Sequence, residues 1–385
     1  MKQFKNALVY VEGEGLKKRD LTFSDRILST GEEDAEEKII LPADAIVLPA
    51  FIDEHIHGAG GADAMDGSVQ ALSRIADTLV KEGTASFLTT TMTQSRENLL
   101  KAMNAVKEYR AENRLSGARL LGVHLEGPFI SPRFKGAQPL EHVVSPSREA
   151  FEAYMQASGN AVKIVTLAPE TEGAAELIES LSACGITVSL GHTAAKFADI
   201  ERAVRAGAKN VTHTYNAQSP LHHRDIGTVG SALLLDELNC ELIADTVHVS
   251  LPAIKLLFKN KPAEKLTLIT DAMRAKGLGD CVSELGGQTV YVKNGEARLQ
   301  DGTLAGSVLC MNRAVQNLVE KAGVPFLSAV DCATKNPALS LGIYGETGSI
   351  CKGKRADLTV LNARYDVLYT VRGGEIVYSA QRDMA

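Results

Sequence analysis

From residue 51 onward, short apolar runs rich in β-branched residues alternate with segments of helical periodicity. This alternation predicts parallel strands joined by crossover helices. The clearest helix covers residues 68–82, with its apolar side chains on one face and Gly83 at the C-cap position. Eight strands are predicted, at residues 45–56, 87–91, 120–125, 162–168, 187–191, 210–214, 241–247 and 266–270.

Helical patterns separate most of these strands, at residues 96–113, 147–158, 171–184, 197–206 and 252–259. Eight β/α units of this spacing predict an α/β fold of the (β/α)8 TIM-barrel type. Functional side chains of such a barrel lie at the carboxyl ends of its strands. Two further helices, near residues 311–322 and 326–333, are expected to complete the barrel region.

The two ends of the chain have a different sequence pattern, which is typical of short strands and turns. Strands are predicted at residues 5–11 and 21–28, and again at 348–350, 356–361, 367–371 and 375–378. We therefore expect the termini to pair into one small β-sandwich domain. Its predicted extent is residues 1–50 plus 345–385, beside a barrel domain of residues 51–344.

Composition excludes several classes of protein. The chain has 385 residues, of which 45% are apolar and 23% charged, as is ordinary for a globular protein. Its net charge of −6 argues against a nucleic-acid partner. No apolar run approaches the ~18–20 residues of a membrane span, and the N-terminal run is too short for a signal peptide. We expect a cytoplasmic protein, and its six scattered cysteines to be reduced.

Two histidines, His55 and His57, stand at the end of the first predicted barrel strand. On a strand, side chains two residues apart leave the same face, so this pair can share one metal ion. On a helix the same spacing would point them apart. A lone H-x-H segment is as easily a chance pair at the end of a strand. Whether it binds metal is therefore judged from the residues that end the other predicted strands.

Other predicted strands also end in residues that can bind metal. Each residue alone has a plainer explanation, as a core histidine, a helix-capping acid or a turn residue. Six such residues at one rim of one barrel favour a metal site. Imidazole and carboxylate are ligands for Zn²⁺, Fe²⁺, Mn²⁺ or Co²⁺. The predicted ligands are His55, His57, Glu126, His192, His213 and Asp271.

With these residues the chain resembles the amidohydrolase superfamily. Within it, the chain is similar almost end to end to the N-acetylglucosamine-6-phosphate deacetylase family. The matching segments are PAFID at 49–53, HLEGPF at 124–129, GHT at 191–193, HTYNA at 213–217, TDA at 270–272, LAGS at 304–307 and GKRADL at 353–358. The HLEGPF and HTYNA segments are specific to the deacetylases, whereas H-x-H is not.

The resemblance implies that Glu126, His192 and His213 hold one ion, with water or Asp271 nearby. His55 and His57 are similar to those of the binuclear members, with Glu126 placed to bridge two ions. One or two divalent ions per subunit are expected, and two are favoured. Related hydantoinases and dihydroorotases use a carboxylated lysine at the end of strand 4. Here Lys163 begins that strand, which favours a deacetylase.

The resemblance also implies a reaction, the hydrolysis of N-acetyl-D-glucosamine 6-phosphate to D-glucosamine 6-phosphate and acetate. A metal-activated water would attack, with Asp271 as general base and acid. Arg224 and His248 would bind the phosphate, at least one of them across a homodimer interface. From the residues alone, Arg224 would form a surface salt bridge with Asp225. Sugar and backbone contacts are implied for Ala137, Asn216, Ala217, Leu304, Ala305 and Gly306.

Residues 135–139 resemble a lid, because glycine and proline bracket a polar turn. Some relatives carry a histidine near Gln138, so the resemblance leaves open what polarises the acetyl carbonyl besides metal. Two alternative functions are considered. One is a metal-dependent hydrolase of another N-acyl amino sugar or an N-acyl amino acid. The other is a non-catalytic binding scaffold, which the six intact metal-binding residues disfavour.

Overall fold

The computed structural model describes residues 1–31 and 34–381. Eight parallel strands form a barrel in which each strand pairs with the next along the chain. We number them barrel strands 1 to 8, and they span Phe51–Ile56, Thr84–Thr90, Arg119–Glu126, Val162–Leu167, Thr187–Leu190, Asn210–Val211, Asn239–Ile243 and Leu266–Ile269. The predicted (β/α)8 barrel is confirmed.

Barrel strands 8 and 1 meet at a seam that side chains and loop backbone close. The Asp271 N–H donates to the His55 carbonyl at 2.9 Å, and the His57 N–H donates to the Ala272 carbonyl at 2.9 Å. The Thr270 hydroxyl donates to Asp53 Oδ2 at 2.5 Å. The seam therefore fixes the H-x-H segment beside Asp271.

The helices of the described chain are Val69–Leu79, Arg96–Ala111, Arg148–Ala157, Ala174–Ala183, Phe197–Ala206, Gly227–Leu234, Leu251–Asn260, Met311–Gln316, Phe326–Ala333 and Lys335–Ser340. The helix Met311–Gln316 continues as a π-helical segment, Asn317–Ala322. Helices Gly227–Leu234 and Lys335–Ser340 were not predicted. The first contains two glycines and is buried on most sides, so it has neither helical propensity nor an amphipathic pattern.

Gly83 ends the first helical segment, as predicted, with a left-handed φ of +88°. Its carbonyl accepts hydrogen bonds from Phe51 N–H at 3.1 Å and from the Thr359 hydroxyl at 2.5 Å. A side chain here would place its Cβ 2.6 Å from a Thr359 methyl group. Glycine is therefore required both by conformation and by the approach of the C-terminal strand.

Strands from both ends of the chain form one further sheet. They are Lys2–Val11, Gly15–Phe23, Ile27–Ser29, Glu37–Ile40, Ile46–Pro49, Leu358–Leu361, Val367–Arg372 and Glu375–Ser379. Leu358–Leu361 runs antiparallel to Ile46–Pro49 and so joins the two ends. This sheet has its own apolar core, which includes Phe4 and Phe23. The predicted fold class is confirmed, whereas the domain limits at residues 50/51 and 344/345 stay a prediction; residues 32–33 and 382–385 lie outside the described residues.

Three of the predicted strands were wrong in detail. The predicted strand 45–56 is two strands in different sheets, Ile46–Pro49 and Phe51–Ile56. Both are buried, so their continuous apolar pattern hides the change of sheet at Ala50. The predicted strand 21–28 crosses a turn, and residues 348–350 contain only an isolated bridge from Ile350 to Val11.

A three-stranded antiparallel sheet that was not predicted follows barrel strand 8. Its strands are Cys281–Leu285, Gln288–Lys293 and Glu296–Leu299, and we call it the insert sheet. Its hairpin turns are the pairs Gly286-Gly287 and Asn294-Gly295, all with positive φ. Such pairs between alternating apolar residues are strong hairpin signals, and they were available in the sequence.

All six cysteines are free thiols, as predicted. Cys240 and Cys332 are buried, and Cys184 is exposed. Within the described ranges, no helix combines the length and apolar character needed to cross a bilayer.

A buried ion pair lies beside the barrel seam. Lys276 Nζ lies 2.7 Å from Glu82 Oε1, and the two residues are 1% and 4% exposed. Burial alone would lower the pKa of Lys276, but the charge of Glu82 outweighs it, so the pKa is raised. Lys276 is thus held as a cation in the interior.

We expect Lys276→Met to lower the free energy of unfolding by about 3–5 kcal/mol, because it leaves the Glu82 carboxylate buried without its counter-ion. Urea denaturation measures the change. The control Lys255→Met removes an exposed lysine, and its effect should stay within about 0.5 kcal/mol. Equal effects of the two substitutions would contradict the buried-pair interpretation.

Candidate metal centre

The six predicted metal ligands meet at the carboxyl-terminal rim of the barrel. His55 lies in barrel strand 1 and Glu126 ends barrel strand 3, while the other four follow strands 1, 5, 6 and 8 within two residues. All six are buried: His55, His57, Glu126, His192, His213 and Asp271. The structure therefore brings together all six residues that were predicted as metal ligands.

Glu126, His192 and His213 form the first cluster of ligand atoms. Glu126 Oε1 lies 3.3 Å from His192 Nε2 and 3.0 Å from His213 Nε2, and the two Nε2 atoms are 3.1 Å apart. A tetrahedral ion with bonds of about 2.0–2.1 Å sets its ligand atoms about 3.3 Å apart. The three atoms thus outline one face of a coordination tetrahedron.

His55, His57 and Asp271 form the second cluster. Asp271 Oδ1 lies 3.1 Å from His57 Nε2 and 3.6 Å from His55 Nε2. Glu126 faces this cluster too, with Oε1 3.4 Å from His55 Nε2 and Oε2 3.4 Å from His57 Nε2. One carboxylate therefore contacts both clusters, which is the geometry of a bridging ligand.

Hydrogen bonds at the far side of three imidazoles orient their Nε2 atoms toward the centre. His55 Nδ1 lies 2.9 Å from a Glu241 oxygen, His57 Nδ1 lies 3.2 Å from the Thr90 carbonyl, and His192 Nδ1 lies 2.9 Å from the Phe134 carbonyl. Each acceptor requires a proton on Nδ1, so a neutral ring keeps its lone pair on Nε2. His55 Nε2 itself has no hydrogen-bond partner within the described chain, as expected of an atom reserved for a cation.

The backbone of the rim is strained where ligands leave it. His192, His213 and Asp271 have φ values of +47°, +30° and +48°, in the left-handed region that non-glycine residues rarely adopt. Such conformations cost about 1–3 kcal/mol each and concentrate at functional sites. The turn after each strand folds the ligand back over the barrel mouth, a position that an extended backbone would not provide.

The carboxylates and imidazoles shift one another's pKa values. Burial alone would lower the pKa of His55, but the charges of Glu126, Glu241 and Asp271 outweigh burial and raise the pKa to about 9. Burial alone would raise the pKa of Asp271, but His55 and His57 lower it to about 2. The carboxylates are thus ionised at neutral pH and attract positive charge to the centre.

Three further polar residues contact the candidate metal centre. Glu241 and His124 were not predicted to lie there, and Gln138 was predicted to lie in a lid. Glu241 lies in barrel strand 7 and contacts His55. Gln138, taken as part of a lid turn, is buried and donates to Glu126 Oε2 at 2.7 Å while accepting from the Thr93 N–H at 2.7 Å. His124 lies on the interior of barrel strand 3, bonded to Thr166 Oγ1 at 2.7 Å. Acidic or histidine residues inside apolar strands were the available signal for Glu241 and His124.

A cavity opens directly over the two clusters. Its wall combines the ligands with the insert sheet and the segment after Glu126. The lining residues include six of the predicted substrate contacts, Ala137, Asn216, Ala217, His248, Leu304 and Gly306. Ala305 is buried in the small core under the insert sheet and does not line the cavity.

Arg224 lies apart from this cavity. It is exposed on the loop after barrel strand 6, and its Nη1 lies 2.9 Å from His223 Nε2. His248, in contrast, lines the cavity, and its Nδ1 is held 2.6 Å from Asp245 Oδ2. The chain therefore presents one of its two predicted phosphate ligands to its own cavity and the other to the outside.

A (β/α)8 barrel with this imidazole and carboxylate rim is the class of barrel that uses divalent metal to hydrolyse its substrates. The model of the amidohydrolase family matches residues 46–377, and the chain belongs to that family. The matched part contains all six ligands. Divalent metal use follows from membership, and the two clusters supply the candidate ligands.

Relatives within the family are similar over nearly the whole chain. The N-acetylglucosamine-6-phosphate deacetylase of Bacillus subtilis is 43% identical over 381 residues, covering 97% of this chain and 96% of the relative. The N-acetylgalactosamine-6-phosphate deacetylase of Escherichia coli O157:H7 is 37% identical over 336 residues, covering 87% and 86%. A mutant Mycobacterium smegmatis deacetylase, solved in complex with N-acetyl-D-glucosamine-6-phosphate, is 30% identical with a TM-score of 0.90, covering 98% and 99%.

Metal affinity should depend on pH through His55. Because its pKa is raised to about 9, the ring must lose a proton before Nε2 can bind a cation. We expect the apparent affinity for Zn²⁺ to rise by at least about tenfold per pH unit from neutral pH toward this pKa, because the pKa values of His57 and His213 are raised as well. Titration in chelator-buffered Zn²⁺ measures the slope, which should be shallower in His55→Asn. A flat profile in wild-type protein would contradict the raised pKa.

Proposed function

We propose that this chain hydrolyses the N-acetyl group of N-acetyl-D-glucosamine 6-phosphate, giving D-glucosamine 6-phosphate and acetate. The observation that carries the proposal is the Mycobacterium smegmatis deacetylase in complex with that compound, which matches 98% of this chain. The cavity over the metal centre supports it, because six predicted substrate contacts line that cavity. The cytoplasmic location expected from composition stays a prediction.

Two divalent ions per subunit are proposed, one in each ligand cluster. The support is Glu126, whose two oxygens face the two clusters at 3.0–3.4 Å. Bound there, divalent metal would lower the pKa of a water molecule and polarise the acetyl carbonyl. Zn²⁺, Fe²⁺, Mn²⁺ and Co²⁺ all suit this ligand set.

Asp271 is proposed as the general base and acid. Its carboxylate lines the cavity and lies beside His57. Since its pKa is lowered to about 2, it is ionised at neutral pH and can accept a proton from the attacking water. The same oxygen can then return the proton to the departing amine, which must leave as a neutral group.

Wild-type protein should release acetate from N-acetyl-D-glucosamine 6-phosphate at a rate within the common range of ~1–10³ s⁻¹. Asp271→Asn removes the proton acceptor, and we expect kcat to fall by about 10²–10⁴-fold. Metal content measured on the same samples is the control, since an Asp271→Asn variant that keeps its metal isolates the chemical step. Full activity in the variant would reject Asp271 as the base.

Phosphate recognition is proposed to involve His248 and Arg224, and to need a homodimer. A guanidinium offers several donors in a planar fork that suits phosphate oxygens. Arg224 is exposed and lies outside the cavity of its own chain. This position supports a role in the cavity of a second copy, which a symmetric dimer would provide twice.

Mixing two impaired variants tests this arrangement. Arg224→Gln should raise KM for the phosphorylated substrate, with activity on N-acetylglucosamine little changed, because only the phosphate contact is lost. When Arg224→Gln and Asp271→Asn chains are unfolded and refolded together, about a quarter of wild-type sites should be complete. That fraction arises because half of the dimers are mixed and each has one intact site. No recovery would place Arg224 in its own chain's site or outside the reaction.

A second candidate substrate is N-acetyl-D-galactosamine 6-phosphate. The observation that favours it is the Escherichia coli O157:H7 relative, 37% identical to this chain. The two sugars differ only at the hydroxyl on carbon 4, so the same metal centre and phosphate ligands would serve both. Comparing kcat/KM for the two compounds decides between them. If wild-type protein hydrolyses neither sugar phosphate, another N-acyl amino sugar or an N-acyl amino acid is the alternative substrate.

A further inference from the structure

Glu241 is a buried acid that the proposed chemistry does not use. It lies in barrel strand 7, a strand that supplies none of the six ligands, and it is 1% exposed. A buried carboxylate is costly unless it is hydrogen-bonded. Its position inside the barrel mouth therefore needs a reason.

One oxygen of Glu241 holds two parts of the metal centre. Oε2 lies 2.9 Å from His55 Nδ1 and accepts the backbone N–H of His213 at 3.1 Å. His55 belongs to the second ligand cluster and His213 to the first. Glu241 thus ties the strand 1 ligand to the strained turn that carries the strand 6 ligand.

The hydrogen bond determines which nitrogen of His55 is available. With the Nδ1 proton donated to Glu241, the lone pair of the neutral ring lies on Nε2. That nitrogen is 3.4 Å from Glu126 Oε1 and 3.6 Å from Asp271 Oδ1, and it has no hydrogen-bond partner in the described chain. Without an acceptor at Nδ1, the ring is free to protonate Nε2 or to rotate.

Direct metal binding by Glu241 is a weaker explanation. Glu241, His55 and His124 do bring three possible ligand atoms close together. However, His124 Nδ1 is 3.1 Å from the Glu54 carbonyl and Nε2 is 2.7 Å from Thr166 Oγ1, so both ring nitrogens are engaged. His55 Nδ1 is itself engaged by Glu241. His55 Nδ1 and both nitrogens of His124 are thus occupied by hydrogen bonds, so Glu241 Oε1 would be the only free ligand atom of the described chain on this side of the rings.

We propose that Glu241 is a positioning residue for the metal centre. By accepting from His55 Nδ1 and His213 N–H, it presents His55 Nε2 to the second ion and fixes the turn that carries His213. The inference rests on the two-ion site proposed above. Acceptors of this kind change metal affinity by about 10–100-fold when removed.

The experiment measures metal stoichiometry and affinity in the full-length protein by competition with a Zn²⁺ chelator. Glu241→Leu removes the acceptor and should weaken the Zn²⁺ ion of the second cluster by about 10–100-fold. The ion of the first cluster should weaken less, because Glu241 contacts only the backbone N–H of His213. Glu241→Gln keeps a side-chain oxygen that can accept both hydrogen bonds, so it should retain most of the affinity. Glu237→Gln, a charge loss at an exposed position nearby, is the matched control and should leave both ions unchanged.

A double-mutant cycle with His55→Asn tests whether Glu241 acts through that ring. If it does, Glu241→Leu should cost little further affinity in a chain that already lacks His55, and the two effects should be non-additive. Additive effects on Zn²⁺ affinity would overturn the positioning role. So would a Glu241→Gln variant that binds Zn²⁺ as weakly as Glu241→Leu, because that result would show that the charge of Glu241 matters and its hydrogen bonds do not.

The two proposals fail in different ways. Wild-type protein that binds fewer than two ions would overturn the two-ion site and this inference with it. Two ions in wild type, with unchanged affinities in a folded Glu241→Leu protein, would overturn this inference alone. Should the Leu variant not fold, Glu241→Asp, whose shorter side chain withdraws the acceptor from His55 Nδ1, replaces it in the same affinity measurement and in the cycle with His55→Asn.

Discussion

The metal centre depends on one buried carboxylate, that of Glu126. Four imidazoles and one amide converge on its two oxygens, and these come from barrel strands or loops far apart in sequence. An ionised carboxylate that is 1% exposed is tolerated only where such partners replace water. Burial alone would raise the pKa of Glu126, but the charges of His55 and His192 lower it well below its usual range. The barrel must therefore align strands 1, 3, 5 and 6 for the chain to fold around this group.

The same alignment explains where the structure is strained. A strand that simply continued would carry its side chain past the barrel mouth. The left-handed residues His192, His213 and Asp271 instead turn the chain just after strands 5, 6 and 8. Two of these turns are held by hydrogen bonds: the Asp271 N–H donates across the seam to the His55 carbonyl, and the His213 N–H donates to Glu241 Oε2. The cost of the strained backbone is thus offset by contacts that also orient the ligands.

The convergence of the six candidate ligands was predictable from the sequence, because each stands at the end of an apolar run, where a barrel places its functional side chains. Their supporting residues were harder to find. Glu241 is the first residue of the predicted strand 241–247. The sequence does not indicate that it contacts His55, because strand 7 approaches strand 1 only when the barrel closes. Gln138 lies in a turn whose contact with Glu126 depends on tertiary structure. The insert sheet was missed although its two hairpin turns are plain, because eight strands already accounted for the barrel.

The missed elements are connected to one another, which changes how residues 135–139 are understood. Gln288 of the insert sheet donates to the Ala137 carbonyl at 2.6 Å, and the next residue, Gln138, is bonded to both Thr93 and Glu126. The predicted lid segment is thus fixed on one side to the insert sheet and on the other to Glu126. In this conformation residues 136–138 form a wall of the cavity next to the candidate metal ligands. The shape of this wall and the orientation of Glu126 therefore depend on the same short chain of hydrogen bonds.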